Sequence, residues 1–179
     1  MRCAEVNPLL FELIAAFRNA RREDLAQILD ARGIRQADRP LLVEEVAVDD
    51  HYYAPEPEGR LAFVTPYFER GQLVDLIATG IESRTSRTRM GNCTVLGEEH
   101  IHDARESEGP LRLYNDPLEW LRHGRAGACI IDWRAARFDL ADLRDIACSN
   151  DMLAARVEKA LLRPVTLPRL YVPEVAHAA

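Results

Sequence analysis

The stretch from Leu111 to Leu162 constrains the fold more than any other. Short strand patterns at Leu111-Arg112-Leu113-Tyr114, Ala128 to Ile131 and Ile146 to Cys148 alternate with helical patterns around Pro117 to Leu121, Leu140 to Leu143 and Met152 to Leu162. Parallel neighbours in a sheet need a connection long enough to hold a helix, so this alternation predicts a βαβαβ unit with mostly parallel strands and a right-handed crossover. In open sheets of that kind ligands bind beyond the carboxyl ends of the strands. Two strand-to-helix turns there carry short polar residues, Asn115-Asp116-Pro117 and Ser149-Asn150-Asp151. A site is expected where these turns meet.

The chain ahead of this unit divides in two. Asn7-Pro8 is a helix start, since Asn caps a free backbone N–H and Pro at the first helical position forfeits nothing. Leu9, Leu10, Leu13, Ile14 and Phe17 follow at helical spacing. A second helix is predicted from about Glu23 to Arg32, with Leu25, Ile28 and Leu29 inward and Gly33 as its stop. Glu23, Asp24 and Asp30 dilute the arginines of this hairpin, so packing against a sheet is favoured over DNA binding. From Arg39 the period changes to two. Leu41 to Val48 reads as a strand, and Leu61 to Phe68 pairs with Leu73 to Ala78 across Glu69-Arg70-Gly71-Gln72. Pro66 belongs at an edge or a bulge. Ser83 to Arg89 reads as a polar segment, Thr94 to Leu96 as a strand and Asp103 to Gly109 as an exposed loop. Val165 to Val172, between Pro164 and Pro173 and interrupted by Pro168, reads as a closing edge strand. The expected fold is therefore α/β: an N-terminal helical hairpin (1–38), a central antiparallel β region (39–102) and a C-terminal Rossmann-like α/β unit (111–175) in one compact body.

Composition removes several classes of function. No apolar run approaches the roughly 20 residues of a membrane span, and Glu5, Asn7 and Glu12 interrupt any leader-like start, so a cytoplasmic protein without membrane contact is expected. Cys3, Cys93, Cys129 and Cys148 form no Cys-x-x-Cys pair, which predicts free thiols and neither a zinc ribbon nor a disulfide framework. The formal net charge of −6 argues against coating nucleic acid by bulk charge. Lys159 is the one lysine among 23 basic residues, a skew that fits a GC-rich coding sequence. Phosphate-binding, dinucleotide-binding, nucleophile-elbow and His-Glu-x-x-His motifs do not occur.

Each candidate site has a plainer reading beside it. Asp116-Pro117-Leu118-Glu119 is a capping sequence as much as an acidic site, Asp139 to Asp142 has a similar form, and Asn150 or Asp151 suits the cap of the last helix. His100 and His102 fall on one face of an extended reading of Glu98 to Asp103, where with His51 they compose a weak metal set; a solvated loop is the plainer account. Arg84, Arg87 and Arg89, aided by Arg125, Arg134 and Arg137, are weak candidates for phosphate contacts, against a solvated polar segment.

The order of the C-terminal pieces resembles the Toprim domain, the metal-binding module of primases and topoisomerases. Leu113-Tyr114-Asn115-Asp116-Pro117-Leu118-Glu119-Trp120-Leu121 is similar to that family's glutamate turn and helix. Ile146-Ala147-Cys148-Ser149-Asn150-Asp151 and the helix after it resemble the family's Asp-x-Asp strand. The hairpin from Leu61 to Ala78 is similar to the β-rich segment that precedes Toprim in primase-like proteins of phages and mobile elements. The resemblance implies a Mg²⁺ site, yet Asn115 stands where the family has its glutamate and Ser149 where it has the first aspartate; Asp151 alone matches. Neutral oxygens hold Mg²⁺ poorly, so the resemblance implies a degenerate site at Asn115, Asp116, Asp132, Ser149 and Asp151, with no cofactor. The function expected is that of a non-catalytic accessory protein of bacterial or phage origin, working through a protein partner, self-association or nucleic acid. The alternatives are a Mg²⁺-dependent phosphoryl-transfer enzyme using Asp116, Asp132 and Asp151, and a structural subunit without ligand.

Overall fold

The computed structural model describes residues 7–19, 27, 29–34, 42–107 and 109–162. Most of the predicted second helix, Cys3 and the closing segment Val165 to Val172 lie outside the described residues. Helix α1 is Pro8–Asn19. Asn7 caps it as its type dictates, its Oδ1 accepting from Leu9 N at 3.0 Å. Its Nδ2 donates to Leu73 O at 2.7 Å, which ties the helix start to the sheet beneath. At the other arm of the expected hairpin, Ile34 N donates back to Leu29 O, and Gly33 adopts the left-handed conformation of a helix stop.

Five strands, β1 Leu42–Val48, β2 Tyr53–Pro55, β3 Arg60–Glu69, β4 Gln72–Gly80 and β5 Ser86–Thr88, form an antiparallel sheet in the order β2-β1-β3-β4-β5. The sheet curls until its two edges meet at a single bridge, Tyr52 to Thr88. The β3–β4 turn is the predicted one, with Arg70 at φ 50° and Gly71 at φ 80°. Two successive positive φ values suit a two-residue hairpin, because that turn's twist matches the strands' own. Among the described residues the β1 pairing ends at Leu42–Val64, and Pro66 lies next to a bulge at Tyr67/Phe68, one of the places where a sheet accepts proline. Ser83 to Arg89, read as a solvated polar segment, instead contains β5, paired to β4 through Thr79–Ser86 and Ile77–Thr88.

The second sheet is β6 Val95–Leu96, β7 Leu111–Tyr114, β8 Ala128–Ile130 and β9 Ile146–Cys148 in the order β6-β8-β7-β9. The last three strands are parallel, and β6 runs against β8. The helices are α2 Glu98–Glu106, α3 Pro117–Arg122, α4 Ala136–Leu140 and α5 Asp151–Leu161. Period-two alternation sorts the second sheet's side chains: Leu111, Leu113, Ala128 and Ile130 face Ile101, Leu140, Leu153 and Val157 of α2, α4 and α5. Tyr114, Cys129 and Leu96 face the other way, into a cluster with α3 and with Phe63 and Ile77 of the first sheet. The second of these faces is closed only in part, since Arg112 on β7 and its register partner Ala147 on β9 are exposed. The far face of the first sheet, through Leu42, Val46, Ala62, Val64, Leu76 and Ala78, packs on Leu9 and Leu13 of α1.

Two boundaries differ from expectation. Glu98 to Asp103 is helical, and α2 extends to Glu106 through much of the expected loop at Asp103 to Gly109. Gly97, at φ 77°, turns the chain out of β6, and Glu98 and Glu99 in the first turn suit the helix dipole. Asp139 does not start a helix: α4 begins at Ala136, whose side chain and that of Leu140 are buried one turn apart.

Asp75 joins the sheets. Its side chain is fully buried (0% exposed) and accepts five backbone N–H groups. Leu76 donates to Oδ1 at 2.8 Å, Arg89 at 3.1 Å and Met90 at 2.9 Å, while Asn92 donates to Oδ2 at 2.7 Å and Cys93 at 3.0 Å. Four of these donors belong to the segment that leaves the first sheet for the second, so one carboxylate fixes the crossover. A buried charge is tolerable when its lone pairs are filled in this way.

Candidate functional site

Strands β7 and β9 are direct neighbours in register, Leu111 with Ile146 and Leu113 with Cys148, so both polar turns emerge side by side. Ser149 N donates to Leu113 O at 3.0 Å, extending the ladder into the turn. Asp116 behaves as the capping sequence predicts. Its Oδ1 accepts from Glu119 N at 2.9 Å, and its Oδ2 lies 3.5 Å from Arg84 Nη1 of the first sheet's β4–β5 turn. At 4% exposure, with both oxygens engaged, Asp116 is a structural cap.

The residue at the centre is Glu119. Its Oε2 accepts from Asn115 N at 2.9 Å and from Ser149 Oγ at 3.0 Å, so one oxygen clasps the two turns together. An ordinary capping box would return this carboxylate to the N–H of the cap residue, Asp116; here it reaches one residue further back. The signal available in sequence was Glu three residues after Asp116. Nothing local could have named Ser149, 30 residues away. Asn150 caps α5 through Leu153 N at 2.9 Å, and its Nδ2 donates to Ser149 Oγ at 3.4 Å. Asp151 is exposed on the first turn of α5. Beneath the clasp, burial first and then the charges of Asp116 and Glu119 push the Cys129 thiol well above its usual range, so it stays a protonated apolar filler.

Asp132 does not join this group. Arg134 holds it from both sides, Nε to Oδ1 at 2.9 Å and Nη2 to Oδ2 at 2.8 Å, and those hydrogen bonds keep its carboxyl below the usual range. Among the described residues no three His, Cys, Asp or Glu side chains are grouped to hold a metal ion. The Asp116–Asp132–Asp151 cluster that a catalytic reading requires is therefore not formed. His100 and His102 do not share a face either. Residues two apart on a helix point about 200° apart, and each histidine has its own neighbours: His100 Nε2 meets Arg125 O at 3.0 Å, while His102 lies 3.8 Å from Glu98.

The arginines singled out for phosphate contacts are engaged within the molecule. Arg84 faces Asp116, Arg87 donates to Asp49 O at 3.0 Å and Ser86 O at 2.8 Å, and Arg89 pairs with Glu12 at 3.0 Å. Arg125 lies over Trp120 and Arg137 over Phe138. No helix among the described residues is long and apolar enough to cross a membrane. No protein-family model, curated protein or solved structure significantly matches the chain.

Proposed function

We propose that this protein is a non-catalytic, Toprim-like accessory protein of bacterial or phage origin, whose C-terminal unit keeps a strand–turn–helix frame without phosphoryl transfer. One observation carries the reading: Oε2 of Glu119, the carboxylate between the two turns, is taken by Asn115 N and Ser149 Oγ, which tie it to the turns themselves. Mg²⁺ is held by charged oxygens and waters, and the positions flanking this carboxylate supply a neutral amide, Asn115, and a neutral hydroxyl, Ser149. Asp151 alone adds an uncommitted charge. Contact with a protein partner is favoured over nucleic acid. The arginines are internally paired, whereas α1 turns Leu10, Phe11, Ile14 and Phe17, each more than two-fifths exposed, away from the sheet. A contiguous apolar stripe of this kind marks interaction surfaces.

Isothermal titration with Mg²⁺ and Mn²⁺ tests the reading. The expected result is no saturable binding tighter than about millimolar, a weakness in keeping with so few charged ligands. Saturable binding that Asp151→Asn abolishes would replace it with a metal-dependent enzyme.

A further inference from the structure

We propose that α1 is a pH-sensitive clasp on the curled sheet: Glu12 of α1 pairs with Arg89, Glu44 of β1 stands half-buried on the face that α1 covers, and ionisation of Glu44 loosens the helix. The inference does not depend on the reading of the C-terminal unit.

Among the described residues, three kinds of contact hold α1 down. Leu9 and Leu13 enter the apolar cluster on that face of the sheet, Asn7 donates to Leu73 O, and both Glu12 oxygens accept from Arg89 Nε at 3.0 and 3.1 Å. The last is the only one of the three that charge can alter. Glu44 stands on the same face of β1 as Leu42 and Val46, two residues from each, and is half-buried. Among the described residues, the charged or titratable groups facing it are Glu12 from α1, Arg89 from the segment after β5, and Tyr53 from β2. Asp75 of β4 acts on the Tyr53 hydroxyl as well. Ala62, opposite Glu44 on β3, brings no charge. Tyr53 Oη is buried with no hydrogen-bond partner, so it offers Glu44 no compensating bond.

Burial first, and then the Glu12 charge, push Glu44 up to about 7, with Arg89 opposing them. Below that pH Glu44 is neutral and Arg89 belongs to Glu12. Above it a second carboxylate is charged near the Glu12–Arg89 pair in a half-dry place, and lifting α1 lets water reach it. The docked form holds its proton to higher pH than the open form, so docking is favoured at low pH and weakens as pH rises. Lifting also uncovers Leu9 and Leu13, so the freed helix presents apolar side chains on both faces.

Hydrogen exchange of the full chain, corrected for the intrinsic rate at each pH, reads the opening of α1 directly. The expected result is a roughly tenfold loss of protection for the amides of residues 9–19 between about pH 6 and about pH 8, the change linkage gives when Glu44 titrates normally in the open form. Amides of β3 and β4 should keep their protection, and Glu44→Gln should hold α1 closed at the higher pH. Equal loss in Glu44→Gln, or simultaneous loss across β3 and β4, would overturn the proposal. A carboxyl ¹³C titration supplies an independent check: a Glu44 midpoint near 7 supports it, and one near the ordinary 4.5 refutes it.

Discussion

Two carboxylates in this molecule each fasten a loop, and they do so in opposite surroundings. Asp75 lies inside the interface between the sheets, sealed from water and filled by five backbone donors. Glu119 lies at the rim of the second sheet, where the turn across from it, Ser149-Asn150-Asp151, is exposed, and binds one backbone and one side-chain donor. The difference teaches how to read an acidic residue. A buried carboxylate surrounded by N–H groups is part of the architecture, because its loss orphans donors that have no water to turn to. A rim carboxylate has solvent as an alternative partner, and its hydrogen bonds organise loops at modest energetic gain.

Mutation should separate the two. Asp75→Ala should destabilise the protein most, by about 3–5 kcal/mol in chemical denaturation, since it strands several buried donors at once. A loss below about 1 kcal/mol would mean that the crossover segment finds other partners and that the contrast is overstated. Asp116→Ala comes next at about 1 kcal/mol, the usual cost of an N-cap. Serine at this position should recover most of that, because the hydroxyl still caps Glu119 N.

The pH dependence of stability sharpens the same contrast. Glu44 has a folded pKa pushed up to about 7 from the ordinary 4.5. The folded state therefore binds more protons than the unfolded one between those values, and stability contributed by this site is present at low pH and lost as pH rises through that window. Denaturation midpoints of Glu44→Gln should be flatter across it than those of the parent. Asp132, whose pKa is lowered by Arg134, works in the reverse sense, losing its contribution only in acid. The smallest effect belongs to the rim: a double-mutant cycle of Glu119→Ala and Ser149→Ala should give a coupling of about 0.5–1 kcal/mol. Zero coupling would mean that the turns are held together by the sheet alone.

What could be read from sequence was what is local. Asn7, Asp116 and Asn150 cap the helices they precede, and the three parallel strands were marked by the apolar residues they send into the clusters flanking their sheet. Strand β5 was missed because Ser86-Arg87-Thr88 has no apolar residue; its place comes from pairing with β4. Helix α2 was read as extended because only Ile101 of its nine residues is buried, too little to display a helical period. Asp75 lay unremarked inside a predicted strand, because its role depends on backbone N–H groups 14 to 18 residues further along the chain. At the site, the positions of Asn115, Asp116 and Ser149 were legible, but the link between them was not. Glu119 was visible as part of a capping sequence, whereas its bond to Ser149 depends on two strands becoming neighbours.

Crystals grown with Mn²⁺ would test the account of that clasp most directly, since anomalous scattering locates the ion without assumption. The account predicts no anomalous peak beside Glu119 or Asp151, with Ser149 Oγ still donating to Glu119. A Mn²⁺ ion bound by the Glu119 and Asp151 carboxylates, with Ser149 turned away, would contradict it.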